Sequence, residues 1–236
     1  MSIATALEEV KENIRRAQEA SPHAARGEVK LLAVSKTQPI ERIAEAAQAG
    51  QLLFAENRVQ ELTEKYQTLP HLHWHLIGHL QTNKVKYMVD KVEMLHSLDS
   101  ISLAGELQKR LAALGRVLPV LVQVNIAEEE SKSGLEVVEV SDFLDAMADF
   151  PALKVAGFMT IGPLTAEAEE IRPVFRQLRL ILQHQQQRNL PHTDLRHLSM
   201  GMSNDYTVAV EEGADMVRVG SGIFGNRRYY DAKTKL

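Results

Sequence analysis

VKLLAVSKTQPIERIAEAAQAG, residues 29–50, joins two patterns at a single turn. Leu31 to Val34 form an uninterrupted apolar run that delivers Lys36 to a point where Pro39 stops the strand. Helical periodicity follows over about 39–49. A wholly apolar strand leading directly into a helix is the unit of a parallel sheet covered on both faces. That unit recurs along most of the chain. Strand-like runs are QLLFAEN (51–57), HWHLIGH (73–79), VEMLHSL (92–98), PVLVQVNI (119–126), LKVAGFMTIG (153–162), HLSMGMS (197–203) and MVRVGSG (216–222). Candidate helices lie at about 56–67, 80–88, 100–114, 134–148, 166–189 and 205–212. Eight strands with helices between them predict an α/β fold, a single (β/α)8 TIM barrel. Periodicity alone leaves a doubly wound open sheet as the alternative. No segment rich in Pro, Gly or Ser marks a linker, so one domain is expected: an N-terminal helix at about 2–20, a barrel at about 29–225 and a tail at 226–236. Ile3, Leu7, Val10, Ile14 and Ala17 give the first helix its apolar stripe.

With 27 Lys+Arg against 31 Asp+Glu, the net charge of −4 leaves no electrostatic footprint for nucleic acid. The chain has no cysteine. Disulfides, thiolate zinc sites and cysteine nucleophiles are therefore excluded, which fits a reducing compartment. The charged N-terminus lacks a signal-peptide run and no stretch reaches membrane-span length. A soluble cytoplasmic protein is the expectation.

A barrel places functional groups at the C-terminal ends of its strands. Those ends carry Lys36, Glu56-Asn57, Gly78-His79, Asn125, Met159-Thr160, Ser199 to Ser203 and Arg218 to Gly222. Period-two alternation puts Lys36 on the inner face with Leu32 and Val34. On position alone two readings stand: a lysine that snorkels to solvent, or an amine whose pKa burial lowers so that it forms a Schiff base. The loops SMGMS (199–203) and VRVGSGIFG (217–225) supply glycines, hydroxyls and backbone N–H groups where barrels often hold phosphate. Lysine and loops together describe an aldehyde that bears a phosphate, and pyridoxal 5′-phosphate (PLP) fits both halves.

At this point the sequence resembles the YggS/PROSC family of PLP-binding, PLP-homeostasis proteins. The resemblance spans nearly the whole chain. It is carried by LLAVSKTQP (31–39), FAENRVQE (54–61), WHLIGHLQTNK (74–84), VNIAEEESKSG (124–134), GFMTIGP (157–163), LSMGMSNDY (198–206) and VRVGSGIFG. It implies a barrel like the N-terminal domain of alanine racemase, the type III fold of PLP proteins. It also implies a covalent PLP aldimine on Lys36, phosphate contacts from Ser199, Met200, Gly220 and Ser221, with Ser203 a further donor, and Arg218 facing the pyridine nitrogen. Asn57 and His79 match polar positions lining the pocket. Ala55 departs from the family, which usually carries glycine there, and its methyl group is expected to tighten the second loop.

An arginine does not protonate the pyridine nitrogen, and a neutral pyridine is a weaker electron sink than a pyridinium. A salt bridge at the barrel rim is the plainer role for Arg218. Racemisation needs an acid/base group on each face of Cα. Related racemases take the second from a tyrosine on an additional β domain, which is not expected here. Tyr66, Tyr87, Tyr206, Tyr229 and Tyr230 all lie away from strand ends. The resemblance therefore implies a monomer that holds PLP, buffers it and delivers it to apo-enzymes, with no catalytic turnover. An amino-acid racemase is the alternative. Two further readings compete. In HLHWHLIGH (71–79), His73 and His75 share a strand face and His79 ends it, while His71 follows Pro70; zinc hydrolysis would need a third ligand. A ligand-free interaction module would use Glu128 to Glu130 or the basic tail from Arg227 to Lys235, which read more simply as solvated segments. Lys132 recurs in the family motif and offers a transient PLP role, against the plainer reading of a loop lysine.

Overall fold

The computed structural model describes residues 1–23, 27–127, 133–163 and 167–225. Eight parallel strands close into a barrel in sequence order: β1 (Lys30–Val34), β2 (Leu53–Glu56), β3 (His73–Leu76), β4 (Met94–Leu98), β5 (Leu118–Gln123), β6 (Leu153–Met159), β7 (Thr193–Ser199) and β8 (Met216–Val219). The helices are α1 (Ile3–Ala20), α2 (Ile40–Gln48), α3 (Val59–Thr68), α4 (Ile101–Ala113), α5 (Val140–Ala146), α6 (Arg172–Gln187), α7 (Tyr206–Glu211) and α8 (Ser221–Phe224). Closure pairs β1 with β8, Lys30 opposite Met216 and Leu32 opposite Arg218. The expected TIM barrel is the observed fold, and the open sheet is excluded.

Two layers of core follow from strand parity. Leu32, Val34, Ala55, Ile77, Met94, Leu121, Met159 and Met216 fill the inside of the barrel. Leu31, Ala33, Phe54, Trp74 and Leu76 face outward and pack beneath the helices. In β6 both Ala156 and Met159 reach the inner layer, three residues apart, because the register shifts between Val155 and Gly157. Gly157 holds φ 152°, and a Cβ there would stand 2.0 Å from the His197 carbonyl oxygen. Only glycine lets β6 and β7 approach so closely. The N-terminal helix buries the expected stripe, Ile3 to Ala17, and Ser2 Oγ caps it by accepting the Thr5 N–H at 3.1 Å.

All the strands but β7 are shorter than their expected runs. Most end two to four residues early, because the polar and glycine residues at each run's end already belong to the loop. β7 starts earlier than expected, at Thr193. The segment expected to be helical after β3 is one short 3-10 stretch, Thr82–Tyr87, and the segment after β5 is broken into 3-10 turns around α5. Residues 221–224, expected as loop, make the single turn α8.

Candidate cofactor site

The C-terminal mouth of the barrel holds a cavity of about 510 Å³. Lys36, Asn57, Ser203, Arg218, Gly220 and Ser221 all line it. Lys36 follows Leu32 and Val34 into the barrel opening, as parity requires, and is half-buried. It is the second residue of a tight turn closed by Gln38 N–H donating to the Ser35 carbonyl at 2.9 Å. Asn57 continues the inner parity of Leu53 and Ala55. Its position depends on Gly78: a Cβ on Gly78 would lie 2.2 Å from the Asn57 carbonyl oxygen, so the loop after β3 packs directly on the Asn57 backbone. Asn57 Oδ1 is buried without a protein partner.

Across the mouth, the N–H groups of Gly220 and Gly222 converge on one oxygen, Ser203 Oγ, each at 3.2 Å. Two backbone donors aimed at one point form an anion cradle of the kind that holds phosphate. Arg218 is buried, 4 % exposed. It donates from Nη1 to Ser199 Oγ at 2.7 Å and from Nη2 to the Thr160 carbonyl at 2.8 Å. Both acceptors are neutral, and among the described residues Arg218 makes no ion pair. Burial lowers its pKa to about 10, with Asp205 opposing, so the guanidinium stays charged at neutral pH. The rim salt bridge is therefore not its role.

Three expected residues lie elsewhere. Ser199 is the last residue of β7 and points into the barrel beneath Arg218, fully buried. Met200 spends its N–H on the Met216 carbonyl, and its side chain belongs to the outer core. Neither lines the cavity; the loop after β7 contributes Met202, Ser203, Asn204 and Asp205 instead. The physical reason is that β7 pairs with β8 at Ser199 and the backbone bonds continue to Gly201, whose carbonyl accepts the Arg218 N–H at 3.0 Å, so the free loop begins only beyond it. His79 is exposed and sits against Asp99 at 3.3 Å, outside the cavity lining. Ala55 places its methyl group in the inner barrel layer rather than in the second loop.

Sequence reasoning missed a buried chain under Arg218. Ser199 Oγ lies 2.9 Å from His96 Nδ1, and His96 Nε2 lies 2.9 Å from His75 Nδ1. Arginine only donates, so Ser199 accepts from it and keeps a hydroxyl proton that it can donate to His96 Nδ1. With that donation His96 carries its proton on Nε2 and donates to His75 Nδ1; with the other tautomer both bonds reverse. Burial pushes the His75 pKa down to about 3 and His96 well below its usual value, so both rings are neutral. The signal was parity: His75 and His96 fall in phase with inward-facing Ile77 and Met94. The zinc reading separates on the same geometry. His73 pairs with Glu93 at 2.6 Å, His75 points inward, and His79 meets Asp99. Among the described residues no cluster of three or more His, Cys, Asp or Glu could hold a metal.

A PLP-sized ligand fits this donor set: an amine on one wall, a paired N–H cradle opposite, and a buried guanidinium between neutral acceptors. The class so defined is a single-barrel PLP-type site. Residues 5–228 match the family described as Alanine racemase, N-terminal domain, and the chain belongs to that family. Within it the chain is similar to the pyridoxal phosphate homeostasis protein of Aquifex aeolicus, 46% identical over 228 residues that cover 95% of this chain and 99% of the relative. It is also similar to PipY of Synechococcus elongatus in two structures. The form without PLP has TM-score 0.80 and 37% identity, covering 91% of this chain and 99% of PipY. The form with PLP bound has TM-score 0.78 and 36% identity, covering 92% and 100%.

Proposed function

We propose that this chain holds pyridoxal 5′-phosphate at the barrel mouth through Lys36 and keeps it available for other proteins, a role in PLP homeostasis. One observation carries the reading: Lys36, Arg218, and the Ser203–Gly220 cradle line the same cavity. When bound, PLP supplies an aldehyde that condenses reversibly with an amine, with loss of water. Lys36 would provide that amine. The N–H groups of Gly220 and Gly222, with Ser203 and Ser221, would hold the phosphate. Asn57, whose Oδ1 is buried and unpaired, would contact the polar groups of the ring. Arg218 would donate to the ring nitrogen and, keeping its own proton, leave that nitrogen unprotonated.

Carriage is favoured over turnover by what the cavity lacks. Tyr66 and Tyr87 lie on the helical shell, and Tyr206 accepts from Asn13 Nδ2 at 3.0 Å beneath α1. Among the described residues no tyrosine lines the cavity to serve as a second base. Tyr229, Tyr230, Lys132, Glu128 to Glu130 and the tail 226–236 lie outside the described residues. The homeostasis names of the relatives support the same reading. We assign it as a monomer that hands PLP to apo-enzymes, a state that sedimentation of the PLP-loaded protein would test. We place it in the cytoplasm; no helix among the described residues is long and apolar enough to cross a membrane.

The test is spectroscopic. The protein incubated with PLP should gain a visible band that borohydride bleaches, and peptide mapping should find the reduced adduct on Lys36. Lys36→Ala should lose the band. A wild-type protein that stays colourless with excess PLP sinks the proposal.

A further inference from the structure

Lys36 is flanked by a buried charged cluster that the cofactor reading leaves unused. β1 ends at Val34, so Ser35 turns outward, away from the cavity, and so does Glu56 at the end of β2. Both meet Lys65 of α3, which is 6 % exposed. Lys65 Nζ donates to Glu56 Oε1 at 2.6 Å, to the Ser35 carbonyl at 2.7 Å and to Glu61 Oε2 at 3.2 Å. Ser35 Oγ donates to the same Glu56 oxygen at 2.6 Å. Glu61 Oε2 also accepts the Thr37 N–H at 2.7 Å. Thus the carbonyl and hydroxyl before Lys36 and the amide after it all end on three charged side chains.

A buried ion pair is a poor device for stability, because desolvation offsets most of the attraction. Glu56 Oε2 is even left without a partner. The cluster does something an apolar core could not: it grips backbone polar groups on both sides of one residue. The turn it grips is strained. Thr37 holds φ 64°, a left-handed value that a β-branched residue adopts at a cost of about 1–3 kcal/mol. Glu61 holds that residue by its N–H.

We infer that Glu61 and the Lys65–Glu56 pair are positioning residues for Lys36: they hold the Ser35–Gln38 turn in the conformation that aims the lysine into the cavity. The inference rests on the cofactor reading for its purpose, and on the turn's own geometry for its substance. The sequence carries it in FAENRVQELTEKYQ (54–67), where Glu56, Glu61 and Lys65 fall at the spacing that brings a strand end and one helix face together.

The experiment measures Lys36 itself. Ligand-free protein is labelled with trace acetic anhydride across a pH series, and Lys36 acetylation is read by mass spectrometry relative to the other lysines. Glu61→Ala should keep the wild-type circular dichroism spectrum while Lys36 labelling changes at least about threefold with a shifted pH profile. PLP uptake by that variant should slow by at least about tenfold, toward the roughly 100-fold that a 1 Å misplacement of a reacting group can cost. Glu61→Gln, whose amide oxygen still accepts from Thr37, should stay within about twofold of wild type. If Glu61→Ala does not fold, the charge-free double variant Glu56→Gln/Lys65→Met is read by the same labelling with the same expectation. A folded variant with wild-type Lys36 labelling and pH profile overturns the proposal, leaving the cluster merely structural. Wild-type protein that takes up no PLP would defeat the cofactor reading alone, since the labelling needs no PLP.

Discussion

Two buried polar networks support the two groups that face each other across this cavity, and they are built from opposite materials. Beneath Arg218, inside the barrel, a chain of neutral groups runs through Ser199, His96 and His75. Beneath Lys36, between sheet and α3, the network is charged: Lys65, Glu56 and Glu61. The difference follows from what each must hold. Arg218 is itself a cation, so neutral acceptors suffice to orient it without neutralising it. The turn at Lys36 exposes an unmatched carbonyl and amide, and an ammonium and a carboxylate are the strongest partners for those groups. Desolvation is tolerated in both places, but in the charged network the loss of one side chain leaves its counterion buried alone.

That asymmetry predicts the largest effect. Lys65→Met should cost about 3–5 kcal/mol in denaturant unfolding because it leaves Glu56 buried and unpaired. The double variant Glu56→Gln/Lys65→Met should recover most of it. Equal losses in the single and double variants would show that packing, not charge, holds the site. On the other side, Ser199→Ala should cost about 1–3 kcal/mol by leaving the Arg218 donor and His96 Nδ1 unmatched. It should also weaken PLP binding without removing the visible band.

The networks should respond to pH with opposite signs. His75 and His96 have folded pKa values held below the unfolded one, so the unfolded chain binds more protons as pH falls through 6.5 toward about 3. Their contribution is full above the unfolded value and is lost on acidification, at about 1.4 kcal/mol per pH unit for each ring. Burial raises the Glu56 pKa against the pull of Lys65. Its contribution is full below the unfolded carboxylate value and declines as pH rises through the folded one. Unfolding free energies of His75→Gln and Glu56→Gln across pH should therefore deviate from wild type in opposite directions; deviations of the same sign would refute the assignment. The smallest effect expected is at Thr37→Gly, which relieves the left-handed strain and should raise stability by about 1 kcal/mol.

Parity read from the apolar runs placed Leu32, Val34 and Lys36 on one inner line, and the barrel confirms that line up to the turn. Ser199 came from the strand-end loop and the family motif rather than from parity, and a serine there looks alike whether it faces the cavity or, as here, lies one layer below it against Arg218. His79 likewise came from the motif and its place at a run's end; past Leu76 the chain leaves the sheet, and the ring sits beside Asp99 outside the cavity lining. His96 was in phase with Met94 all along, but a histidine in an apolar run carries no mark of its partner 103 residues away.

What the sequence determined by itself is the order of apolar strands and amphipathic helices, and hence a parallel α/β fold with polar groups gathered at its strand ends. Those are local patterns of burial, and period two and period 3.6 are written residue by residue. Closure into a barrel came from the β1–β8 pairing. What only the tertiary structure decided is which polar groups meet: Ser203 with Gly220 and Gly222, Arg218 with Ser199, and Lys65 with the turn that carries Lys36. These contacts join segments distant in sequence, and their distances are set by barrel closure and register, which no local pattern encodes.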